Sequence, residues 1–341
     1  MIEVDKEGII LEKTDCQFEN KGVLNPATIR LGEEVYMFYR AFGEDNISTI
    51  GFCKLKGPKR VVWRSQIPLL SPLGVTEDKG IEDPRIVQIE GQYFLTYTAY
   101  DGYNALGALA TSNDLKVFKR DGIIVPQLSF SEFRKLAECS GRINEKYSRF
   151  AHDKLEVINE TRLLVWDKDL IFFPRKINGK FYFLHRIKPD IQIASVESLS
   201  ELNASFWENY LQNFERHIML SPKLDHEVSY VGGGCPPIET EKGWIIIYHG
   251  VHDTPGGYVY CACAALFDLE NPGKEISRLP YPLFSPGEEW EKSGKVNNVC
   301  FPSGTATFGD RLYIYYGAAD ECIACASVSL TALIRELLAH A

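Results

Sequence analysis

Apolar and polar residues alternate in short runs along this chain, and the runs recur in a fixed order. Five segments share it: NPATIRLGEEVYMFYRA (25–41), DPRIVQIEGQYFLTYTA (83–99), FPRKINGKFYFLHRI (173–187), CPPIETEKGWIIIYHGV (235–251) and FPSGTATFGDRLYIYYGA (301–318). Each opens on a proline, continues as a short strand, turns through polar residues that include glycine, and returns as a strand rich in aromatic and β-branched residues. That is the pattern of a β-hairpin. Further strand-like runs, STIGFCKL, NALGALATS, YVYCACAALF and CIACASVSL, lie between the copies. Four short strands per unit, at an interval of mostly about sixty residues, predict a single all-β domain over 1–341. The expected architecture is a five-bladed β-propeller, because radial repetition leaves few open sheet edges.

The interval between the second and third copies is longer. Residues 128–160 account for it: they are charged, free of proline and partly helical in period, which predicts an insertion over one face. The closing SLTALIRELLAH has the apolar spacing of a short helix. Long amphipathic helices alternating with strands, which a two-domain α/β fold requires, are almost absent.

Composition narrows the partners. A formal charge of −9 argues against nucleic acid, whose binders carry a basic face. The start MIEVDKEGII lacks the basic and apolar regions of an export signal, and no uncharged apolar run approaches the roughly 18 residues of a membrane span. A cytoplasmic protein with no membrane partner is expected. The nine cysteines are scattered and odd in number. The close pairs Cys261/Cys263 and Cys322/Cys325 have no His-rich partner at zinc spacing, so buried structural thiols are expected and no metal.

Aligned on their second strands, the five hairpins bring Tyr39, Tyr97, His185, Tyr248 and Tyr316 to one position. Arg40, Thr98, Arg186, His249 and Gly317 follow at the next. Successive strand residues face opposite sides, so one position per repeat converges on a common axial channel. Two arginines and a histidine there, joined by acids from the proline-containing turns, predict a concave polar site. In GIEDPRI, Asp83 could cap the turn ahead of Pro84, but its place on the face of Arg40, Arg186 and His249 favours a role in proton transfer. Asp101 in AYDG reads as a hairpin turn and stays outside the site.

Five stretches, GIEDPRI, FPRKINGKF, GGGCPPIETEKGWIIIYHGV, LFDLENPGK and NNVCFPSG followed by YIYYGAAD, together resemble glycoside hydrolase family 130. These are the β-mannoside phosphorylases and related β-mannosidases, and the resemblance runs over residues 23–330. It implies a five-bladed propeller, in agreement with the repeat count. It also implies inverting cleavage of β-mannosidic bonds in manno-oligosaccharides, with inorganic phosphate as co-substrate, α-mannose 1-phosphate as product, and no metal or organic cofactor.

The general acid of that family carries over onto Asp83, whose raised pKa would suit proton donation through a mannose hydroxyl. Sugar contacts carry over onto Asn25, Arg40, Arg85 and Asp320, and phosphate binding onto Lys168, Arg186 and His249. Tyr230 stands where the phosphorylases usually carry a lysine, though its hydroxyl can still donate one hydrogen bond to phosphate. Hydrolytic members activate water with carboxylates instead, and Glu227 is the candidate base for that alternative. Phosphorolysis leads. An inverting β-mannosidase and a non-catalytic carbohydrate-binding propeller are the alternatives, and the presence of Asp83 with Arg85 argues against the second. The expected partners are a β-linked manno-oligosaccharide and phosphate; homo-oligomer formation is left open.

Overall fold

The computed structural model describes residues 2–139, 141–150, 157–158 and 161–341, and in it strands dominate while helices are few and short. Five antiparallel groups follow one another. The first comprises Gly22–Leu31, Glu34–Phe42, Ser48–Lys56 and Arg60–Arg64. The second comprises Gly80–Ile89, Gln92–Tyr100, Ala105–Ser112 and Lys119–Ile123, and one parallel bridge from Ser48 to Gly80 links it to the first. The third is Lys168–Phe172, Phe181–Arg186, Ile191–Val196 and Ile218–Leu220. In the fourth, Gly243–Thr254, Gly257–Phe267 and Glu275–Arg278 run side by side, and the short strands Tyr230–Gly233 and Ile238–Thr240 share one edge. The fifth joins Cys300–Phe308, Arg311–Ala318 and Cys322–Ser329 to the N-terminal strand Asp5–Leu11.

The strands are apolar on both faces because each group is covered twice. On Gly243–Thr254, Ile245 and Ile247 pack against Leu312 and Ile314 of the fifth group, while Trp244, Ile246 and Tyr248 pack against Ile171 and Leu184 of the third. The two-residue period of a strand produces this division. Equivalent cores fill the spaces between the second and third, first and second, and first and fifth groups.

All five predicted hairpins occur, with one displaced boundary. The first strand of the third hairpin is Lys168–Phe172, ahead of FPRKINGKF, which forms the turn: Phe173 N donates to Tyr182 O at 2.9 Å, and Ile177 and Lys180 exchange backbone bonds. Of the predicted insertion, helix Phe130–Ala137 opens on a Ser129/Glu132 capping box and packs on helix Ala204–Gln212. Residues 140, 151–156 and 159–160 of that insertion lie outside the described residues. The predicted C-terminal helix is Leu330–Leu338, with Leu333 and Leu337 buried against the fifth and fourth groups. No helix among the described residues is long and apolar enough to cross a membrane.

A polar set recurs behind the second strands. Tyr39 donates to Glu19 at 2.8 Å, and Arg64 holds the same carboxylate. Tyr97 donates to Glu77 at 2.7 Å beside Arg120. Tyr248 donates to Glu227 beside Arg278, and Tyr316 to Glu291 beside Lys6. In each case the cation comes from the group's outermost strand. The third group departs: His185 takes the tyrosine's place and bonds Asp167 at 2.8 Å and the Tyr210 hydroxyl at 2.7 Å.

Candidate active site

The first strands of three groups share a local irregularity that builds the site. Their registers slip just after Leu24, Glu82 and Lys168, which pair with Arg40, Thr98 and Arg186. The next residues, Asn25, Asp83 and Asp169, adopt the left-handed backbone region with φ of 48°, 51° and 52°. Asn and Asp tolerate that region better than other side-chain-bearing residues, and a bulge of this kind re-aims a side chain. All three line one cavity of about 200 Å³ together with Arg40, Lys168, Arg186, Lys188, Tyr230, Tyr260 and Asp320.

Asp83 is the centre of the charge arrangement. Its Oδ1 accepts from Asn25 Nδ2 at 2.7 Å and from Arg40 Nη1 at 3.3 Å, and Lys168 Nζ stands 3.8 Å from Oδ2. Arg40 and Lys168 also share Glu82, at 2.7 and 3.2 Å. Burial alone would push the Asp83 carboxyl up, but Arg40, Lys168, Asn25 and Arg85 outweigh it and hold the group well below the usual carboxylate range. This reverses the raised pKa expected of it: in the unliganded site Asp83 is ionised. Asp320, from the fifth group, moves the other way, with burial raising its pKa against the pull of Arg40.

Arg186 Nη1 pairs with Asp169 Oδ2 at 3.1 Å and lies 3.2 Å from His249 Nε2. A side chain at Gly232 would collide with both partners of this contact, the His249 ring and the Arg186 guanidinium, so glycine is needed there. Burial, Arg186, Arg85 and Lys188 together push the His249 pKa well below its ordinary value. His249 is therefore neutral and fully buried behind Arg186, outside the cavity lining.

Three expected site residues thus sit behind the cavity rather than in it. Besides His249, Arg85 is 1% exposed and spends its donors on backbone oxygens: Asp83 O at 3.0 Å, Pro84 O at 2.9 Å and Gly234 O. It ties the second group to the fourth. Glu227, on the far side of the Gly243–Thr254 strand from His249, accepts from Tyr248, Arg278 Nη1 at 3.0 Å and the Lys223 N–H at 3.0 Å. It repeats the roles of Glu19, Glu77 and Glu291, and its carboxylate is held by the scaffold. Asp101 is a turn residue, accepting from the N–H groups of Tyr103 and Asn104 at 2.8 and 2.6 Å.

Residues missed in the sequence include Glu82, Asp169, Lys188, Trp166 and Tyr260. Asp169 had a legible signal: KD at 168–169 stands in register with ED at 82–83 once the third hairpin is aligned on its first strand. Tyr260 had none, since its hydroxyl meets that of Tyr230 at 2.5 Å only through the pairing of distant strands. A second chamber of about 270 Å³ adjoins the cavity and shares Trp166, Lys168, Arg186 and Lys188 with it. Phe130, Tyr147, Arg149 and Phe150 from the insertion, with Val165 and Ile187, line its remainder.

The glycoside hydrolase family 130 model, described as β-1,4-mannooligosaccharide phosphorylase, matches residues 9–338. A 1,2-β-oligomannan phosphorylase from a Thermoanaerobacter species is 31% identical over 335 residues, covering 94% of this chain and 95% of that protein. Among solved structures, a β-1,2-mannobiose phosphorylase from Listeria innocua, in complex with β-1,2-mannobiose, aligns with a TM-score of 0.73 at 22% identity, over 99% of this chain and 100% of that one. A family 130 structure reported with glycoside hydrolases that target β-1,2 mannosidic linkages in Candida mannan aligns at 0.69 and 24% identity, over 97% and 94%. The chain belongs to glycoside hydrolase family 130.

Proposed function

We propose that this protein is an inverting β-mannoside phosphorylase that cleaves manno-oligosaccharides with inorganic phosphate and releases α-mannose 1-phosphate. The observation that carries the reading is one cavity in which a carboxylate, Asp83, faces the cations Lys168 and Arg186. Such cations hold a phosphate oxyanion by charge-assisted hydrogen bonds. Asn25, Arg40 and Asp320 are the sugar-binding groups of this reading, and Tyr230 offers its hydroxyl at the edge of the anion site.

Asp83 is ionised in the free site, so the proton required by the leaving oxygen enters with the phosphate. Dihydrogen phosphate seats against Lys168 and Arg186, neutralises part of the field that lowers the Asp83 pKa, and passes one proton to that carboxylate. Asp83 delivers it to the departing glycosidic oxygen, by way of a mannose hydroxyl, while a phosphate oxygen attacks the anomeric carbon from the opposite face. The sum is mannoside plus dihydrogen phosphate giving mannose 1-phosphate monoanion plus the shortened sugar.

The whole chain forms, in this reading, one five-bladed propeller. Five antiparallel groups, five intervening cores and the pairing of Asp5–Leu11 with Cys322–Ser329 support it. The test of function is product release from β-1,2- and β-1,4-mannobiose with and without phosphate. Phosphate-dependent mannose 1-phosphate is expected. Free mannose at equal rates in both conditions would make the protein a hydrolase.

A further inference from the structure

Lys188 follows the strand Phe181–Arg186 and reaches toward the fourth group, where its Nζ stands 3.8 Å from the centroid of the Tyr230 ring and 5.5 Å from that of Phe150. It lines both the cavity of Asp83 and the adjoining chamber. The other cations of the cavity are matched: Arg40 and Lys168 with Glu82 and Asp83, Arg186 with Asp169. Among the described residues, Lys188 has no carboxylate within ion-pair distance and no hydrogen-bond acceptor on Nζ. Its neighbours are Arg186 and Lys168, and with burial these hold its pKa well below the ordinary lysine value, Asp169 opposing them. Gathering a third cation beside two others in a half-buried position is unfavourable unless an anion completes the group. The ring of Tyr230 fixes the ammonium's position without neutralising it.

We propose that Lys188 is a phosphate ligand of this enzyme, its ammonium providing from the third group the positive charge that the fourth lacks at Tyr230. This rests on the phosphorolysis reading above. Lys188, Arg186 and Lys168 form a three-point cradle at the neck between the two chambers, and phosphate supplies the counter-charge that Lys188 otherwise lacks. Tyr230 acts as the platform that aims the lysine.

The test compares the parent, Lys188→Met and Lys188→Arg in phosphorolysis of the mannobiose the parent cleaves, and follows Tm of each against inorganic phosphate concentration. Loss of one charge-assisted contact predicts a rise in the KM for phosphate of about tenfold or more for Lys188→Met, with the KM for the sugar within about twofold. Lys188→Arg recovers most of the loss. Phosphate raises the Tm of the parent and of Lys188→Arg, and that response weakens in Lys188→Met. An unchanged phosphate KM in Lys188→Met, or parallel increases in both KM values without rescue by arginine, overturns the proposal. The melting series separates the two readings: a parent that hydrolyses without phosphate, yet is stabilised by it through Lys188, refutes phosphorolysis and keeps the ligand. A parent indifferent to phosphate in both assays refutes both.

Discussion

At the scale of single residues, Asp83 is held by the backbone before it is tuned by charge. The left-handed bulge aims its carboxylate at the cavity, and Asn25, itself at φ 48°, presents the amide that orients it. Asp83→Asn keeps the shape and removes both the proton carrier and the negative charge. Loss of proton transfer predicts a fall in kcat of about 100- to 10,000-fold. The stability effect has a definite sign. Because the folded-state pKa is depressed, the ionised group stabilises the fold above its unfolded value near about 4, and that contribution is lost as pH falls below it. Asp83→Asn is therefore less stable than the parent at pH 7, on the order of 2 kcal/mol, and the gap closes in acid. Denaturant curves at two pH values check this; a gap that widens in acid would contradict the direction given for Asp83.

At the scale of elements, the recurring tyrosine, glutamate and cation sets explain why Glu227 is scaffold. Each glutamate takes the hydroxyl of a second-strand tyrosine and a cation from the outermost strand; Glu77, Glu227 and Glu291 also accept from backbone N–H groups, as Glu77 does from Leu73 at 2.8 Å, while Glu19 accepts from the Thr14 hydroxyl at 2.6 Å. Glu227→Gln leaves Arg278 facing Glu275 alone and destabilises the protein by about 2–3 kcal/mol, seen as a lower Tm. An unchanged Tm with hydrolysis selectively abolished would restore Glu227 as a base. Alternation along the second strands made the paired positions legible: Tyr39 and Arg40 do face opposite ways, as do Tyr248 and His249. What alternation could not convey was depth. Arg85 and His249 are covered by Phe301, whose ring centroid lies 4.5 Å from that of His249 in a tilted arrangement and 5.6 Å from the Arg85 guanidinium.

At the scale of the whole molecule, the ends of the chain meet. Asp5–Leu11 completes the fifth group, contributing the buried Leu11 and the Lys6 ammonium that holds Glu291. Deleting residues 1–11 exposes the edge of Cys322–Ser329 and strands a buried carboxylate. A drop in the urea midpoint of about 1 M or more, with increased self-association by size exclusion, is expected. A truncated chain that melts like the parent would show that the closing strand is dispensable.

By itself the sequence determined the number of hairpins and their order, because turn chemistry and the two-residue period are local and are written in consecutive residues; the family followed from the resemblance of its motifs. It also brought Asp83, Arg40, Asn25, Lys168, Arg186, Tyr230 and Asp320 onto one list, and the structure gathers them in one cavity. Tertiary structure alone decided which charges meet. The ionised state of Asp83, the neutrality of His249, the burial of Arg85 and the unmatched ammonium of Lys188 depend on neighbours from other groups of strands. Electrostatic energy follows distance and burial in space, and neither can be read from spacing along the chain.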